Sequence, residues 1–138
     1  MSRAARLMCG LILIVVPTIE YGGYYIFKSL LNPALHYATA NPLREDLERA
    51  GHAHAGVIIL LSLIGQLLAD HASLPPWLIW AARISFPASA ILLSAGFFIS
   101  ARVPGAVPLV YAGAVLLALT VLTLGIGLLR APRGSPAE

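Results

Sequence analysis

The 138-residue chain is poor in charge and has only one cysteine. Charged residues make up 11% of it, against about 25% in ordinary soluble domains, so a water-exposed surface of normal polarity cannot be built from it. Cys9 alone excludes an internal disulfide and a cysteine-based metal knot or redox pair. Nothing resembles a glycine-rich nucleotide loop or a hydrolase triad, and no internal repeat of the solenoid kind is visible. The nine basic residues give a formal charge of +3 but sit at the ends of apolar runs. Spread in that way they form no patch for nucleic acid, and membrane orientation is the more economical explanation.

What the chain does have is apolar surface. Hydrophobic residues account for 59% and mean hydropathy is +0.84, which predicts a lipid bilayer environment. A span needs about 20 apolar residues, and the sequence supplies four such stretches. The expectation is therefore an all-α, integral membrane four-helix bundle, one domain over 1–138, with spans at about 7–30, 44–69, 77–100 and 107–129 and a loose polar tail over 130–138. Twelve glycines and ten prolines are compatible with this, because membrane helices tolerate both where neighbours satisfy the freed backbone groups.

Arg3 and Arg6 before an apolar run have the look of a secretory leader, but no small-residue cleavage site follows, so the first span reads as a retained helix. Pro17 is expected to kink it. Glu20 shares a helical face with Pro17, Tyr24 and Phe27, and since a carboxylate at that depth is costly, that face is expected to look inward or towards a neighbouring subunit. The first connection carries His36 and Tyr37. Charges of both signs then alternate from Arg44 to Arg49, as in the solvated first turns of a helix.

Along the second span, Glu45, Glu48, His52, Ser62, Gln66 and Asp70 fall on one stripe at the 3.6-residue period. Ser62, Gln66 and Asp70 are expected to satisfy one another along a seam. His54 lies on a different face, with Gly51, Ile58 and Leu61, so the two imidazoles cannot grip one ion from a regular helix and must serve separate clients. Trp77 and Trp80 read as interfacial anchors. In the third span Ser85, Ser89, Gly96 and Ser100 make a small-residue face that should pack closely on another helix. Arg83 lies inside this span as a partner for Glu20, a contact for a haem propionate, or a snorkelling side chain.

Imidazole nitrogens ligate iron, copper or zinc, and iron porphyrin takes one or two axial ligands. Gly51-His52-Ala53-His54-Ala55-Gly56-Val57, with the apolar run behind it, resembles the histidine-any-histidine helix in the large subunit of haem-copper oxygen reductases and nitric oxide reductases. That subunit comprises three four-helix repeats about a pseudo-threefold axis, and this chain looks like one repeat. The resemblance implies haem b held by His52 and His54, and a homo-oligomer, by analogy a trimer, with a haem between His52 of one copy and His54 of the next. It implies electron transfer or haem-based redox chemistry with a quinol or an electron-transfer partner. No counterpart of the copper-site histidines or of the cross-linked tyrosine is present, so oxygen reduction is not implied. Copper remains an alternative to haem, with His36 as a further ligand.

Two other readings stand beside this one. Glu20 in the first of four short spans resembles the acid of small multidrug resistance transporters, which implies a proton-coupled carrier. A structural subunit of a membrane complex, with no chemistry of its own, is the third. Basic residues divide almost evenly between the two sides, but Glu45, Asp46 and Glu48 offset those of the first connection, so the expectation is a multi-pass inner membrane protein of bacterial type with both termini cytoplasmic.

Overall fold

The structure, a computed structural model, describes residues 1–32 and 42–132. Four helices run α1 (Arg3–Leu31), α2 (Pro42–Leu68), α3 (Pro76–Ser100) and α4 (Val107–Leu129), with a single 3₁₀ turn at Pro104–Ala106 before the last. Each apolar run is long and apolar enough to cross a membrane, as expected. Their starts follow local chemistry. Ser2 caps α1 by accepting the Ala5 N–H at 3.0 Å, and Pro76 occupies the first turn of α3, where its missing N–H is not needed. Pro17 lies within α1, which continues through it to Leu31.

Helices α2 and α3 form the central pair, with α4 seated mainly on α3 and α1 on α2. Where α3 meets α4, glycines set the separation. A methyl group at Gly113 would lie 2.6 Å from the backbone nitrogen of Leu93, and one at Gly96 2.8 Å from that of Val110. Lipid gives helices no hydrophobic reason to associate, so such close packing carries the seam. Gly96, Ser89 and Ser100 of the small-residue face are buried, as expected.

The distribution of residue types suits a bilayer. Ser62, Gln66 and Ser89 are fully buried while Ile14, Leu60, Ile91 and Leu122 are exposed. Backbone groups freed by proline or by a helix end must find partners inside the protein, and one polar clamp does this. Pro87 has no N–H to offer the carbonyl four residues back, which belongs to Arg83. The Nε2 of Gln66 donates to that carbonyl instead, at 2.9 Å. In return Arg83 Nη1 donates to the Gln66 carbonyl at 2.9 Å and to Gln66 Oε1 at 3.1 Å, covering a carbonyl in the last turn of α2. Arg83 Nη2 reaches Asp70 Oδ1 at 2.6 Å, and the Ser2 N–H donates to Asp70 Oδ2 at 2.6 Å. One arginine thus binds α2 to α3, and its carboxylate partner holds the start of α1.

The clamp corrects two expectations. Arg83 pairs with Asp70 and Gln66, not with Glu20, and it is 3% exposed rather than snorkelling. Gln66 and Asp70 do not satisfy Ser62, whose hydroxyl donates to the Ile58 carbonyl of its own helix at 2.7 Å.

Candidate functional site

His52 and His54 both lie in α2 and face different neighbours, as the helical period requires: His52 meets α1 and His54 meets α3. His52 is half-buried. A methyl group on Gly23 would lie 2.8 Å from His52 Nε2, and one on Gly22 3.8 Å from Nδ1, so this pair of glycines is what admits the ring. No hydrogen bond to the ring is present among the described residues.

His54 is exposed. Its Nδ1 lies 2.7 Å from the Ala50 carbonyl oxygen. A carbonyl only accepts, so Nδ1 is the donor, and in the neutral ring the lone pair is then on Nε2. That arrangement is typical of histidine ligands, whose second nitrogen is anchored to fix tautomer and ring direction. Phe97 stacks beside the ring with centroids 5.0 Å apart and planes inclined at 33°, so the imidazole is braced on one side by α3.

Nearby, Glu48 is the hub of a second polar cluster. It accepts from Arg44 at 3.2 Å and from Arg102 at 2.9 Å, while Arg102 also donates to the Phe98 carbonyl at 3.0 Å and to Tyr25 Oη at 3.3 Å. Arg49 pairs with Glu45 beside it. The Glu48 and Gln66 levels are about 27 Å apart along α2 at 1.5 Å per residue. That separation is comparable to the ~30 Å hydrocarbon layer. His54 lies about 9 Å inside the Glu48 level on the same rise.

Glu20 is exposed, with no hydrogen bond or ion pair among the described residues. Since Gly22 and Gly23 sit beside His52 and the helices are antiparallel, Glu20 lies at about the depth of His54. Arg83 does not join them. From His54 to Gln66 is about 18 Å along the axis, beyond the reach of a propionate on a haem at His54. The cationic groups on the histidine side are Arg44, Arg49 and Arg102, and Arg102 is the one that sequence spacing does not reveal, because it acts from the connection after α3. Phe97 and the Gly22–Gly23 pair escape a sequence reading for the same reason: their meaning lies in contacts between helices. His36 lies outside the described residues.

Among the described residues no three His, Cys, Asp or Glu side chains gather as a metal-holding group. His54 offers a single donor, and a porphyrin iron, which already has four nitrogens, takes one or two axial ligands. Comparisons of the chain with protein-family models, curated proteins and solved structures find no match.

Proposed function

We propose that this membrane protein binds haem, with His54 as the axial ligand offered to a cofactor at its lipid-facing or intersubunit surface, and that it works in electron transfer or haem-based redox chemistry. One observation carries this: an exposed imidazole, within an apolar span, whose Nδ1–H is spent on the Ala50 carbonyl so that Nε2 keeps its lone pair. A bound haem would supply one-electron exchange. The protein's part is to hold the imidazole's direction and tautomer, and to place Arg102 on the same side as a counter-charge for propionates. His52 serves as a second ligand only where the α1 glycines withdraw from its ring. A homo-oligomer, by analogy a trimer, in a bacterial-type inner membrane with both termini cytoplasmic, completes the reading. Copper at His54 is the metal alternative.

The test is the absorption spectrum of protein purified from haem-replete cells. A Soret band is expected, lost in His54→Ala and shifted or retained in His52→Ala. A colourless preparation, or a band indifferent to both substitutions, rejects the proposal.

A second reading is favoured by the solitary exposure of Glu20 within a span, since a charge there needs a purpose or a partner. In it Glu20 carries protons for a small transporter. Glu20→Gln then abolishes substrate-driven proton release in liposomes, whereas a structural subunit shows no change.

A further inference from the structure

Two prolines lie inside helices of this bundle, and the fold treats them differently. Pro87 frees the Arg83 carbonyl, and Gln66 of α2 donates to it at 2.9 Å. Pro17 has no N–H for the Leu13 carbonyl either. Here nothing takes its place: Thr18, the hydroxyl beside it, donates to the Val15 carbonyl at 2.7 Å, and among the described residues no side chain donates to Leu13.

Leu13 and Pro17 belong to a stripe. With Glu20, Tyr24 and Phe27 they follow at spacings of four, three, four and three, which is one face of a helix and the pattern by which one helix receives another. All five are exposed, because α1 turns Ile12, Ile26 and the Gly22–Gly23 pair to the bundle instead. Of the four spans α1 is the least enclosed, with 11% of its apolar stretch buried against 22% to 44% in the others. Glu20 sits within the stripe, about 12 Å along the axis from Lys28 and about 21 Å from Arg6.

A carboxylate and a carbonyl are both acceptors, and in lipid no water donates to them. What covers the stripe must therefore bring N–H donors, and by sign a cation. A second copy brings none at this depth, since copies about an axis along the membrane normal keep each residue at its own level. Arg44 and Arg102 are held by Glu48, Arg49 by Glu45 and Arg83 by Asp70. His54, level with Glu20, gives its Nδ1–H to Ala50 and presents Nε2 as another acceptor. Two copies packed α1 against α1 would set Glu20 against Glu20, and like charges in apposition are costly.

We infer that this face of α1 is the docking surface for a membrane helix of a different protein, one that carries an arginine or lysine at the level of Glu20. The cation pairs with Glu20, and the helix packs from Leu13 to Phe27 along about 21 Å of α1. A guanidinium, with five N–H donors, suits two acceptors better than an ammonium with three. The surface does not include His54 and does not depend on haem.

The experiment is resonance energy transfer in phosphatidylcholine vesicles between the labelled full chain and a leucine–alanine peptide of about 20 residues with one central arginine. The same peptide with a central leucine is the control. Saturable transfer is expected with the arginine peptide and weaker transfer with the control. Glu20→Gln should weaken the arginine peptide by about fivefold to thirtyfold, the scale of one polar contact between helices in lipid, and leave the control unchanged. Glu20→Arg should reverse the preference, rejecting the arginine peptide and accepting one with a central glutamate, which also shows that the substituted chain folds. His54→Ala should behave as the unsubstituted chain does, so loss of the haem reading and loss of this one are distinguishable. Equal transfer from the arginine and leucine peptides, no weakening in Glu20→Gln, or an oligomeric mass that Glu20→Gln reduces to the single chain, which would mean that a second copy covers the face, overturns the inference.

Discussion

The two polar ends of the bundle are built differently. At the Arg83 end the buried groups are matched to one another: the guanidinium, two helix carbonyls, the Gln66 amide and the Asp70 carboxylate close into one network with Arg83 3% exposed. At the histidine end Glu48 gathers Arg44 and Arg102, but Arg102 is exposed and His54 keeps a nitrogen free. A closed network fixes helices and has nothing left to offer a ligand. An open one costs stability and leaves groups available, so chemistry is to be sought at the second end.

The sharpest way to break this contrast is to remove one arginine from each end. Arg83→Ala leaves the buried backbone and side-chain carbonyls of Gln66 without their donor and Asp70 with Ser2 alone, and should cost about 1–3 kcal/mol, seen as a fall in the detergent unfolding midpoint. Arg102→Ala removes an exposed guanidinium from a carboxylate that keeps Arg44, and should cost less than about 1 kcal/mol, most of it lost in high salt. Equal losses would erase the distinction.

A smaller effect concerns acid. Hydrogen bonding from Ser2, its side chain first and then its N–H, holds the Asp70 carboxyl down to about 2 from an ordinary 3.8, with Arg83 adding to this and burial opposing it. A carboxyl whose folded value is depressed stabilises above its unfolded value, and that contribution is lost as pH falls from about 3.8 towards 2. Unfolding followed by circular dichroism should show this slope in the native chain, and Asp70→Asn should flatten it. A slope unchanged by Asp70→Asn would remove Asp70 from the clamp.

Much of the architecture is legible in the order of residues. The spans follow from run length and hydropathy, and the differing directions of His52 and His54 from the helical period, because both depend only on properties of one helix. The small-residue face over Ser89, Gly96 and Ser100 announces a close contact for the same reason. Partners are not legible. Sign and depth pair Arg83 with Glu20, yet Asp70 lies at the turn joining α2 and α3, and Pro87 creates an acceptor that Gln66 of α2 reaches. Phe97 and Arg102 matter through what lies across a helix interface, and spacing along one chain does not report that.

Bilayer thickness and helical pitch leave few alternatives once the residues are written down: four apolar helices form, and one face of α2 carries polar groups. Neither constraint says which helix lies beside which face. That lateral placement, set by packing across interfaces, encloses His52 with glycines while His54 stands free, closes Arg83 on Asp70, and leaves Glu20 without a partner among the described residues.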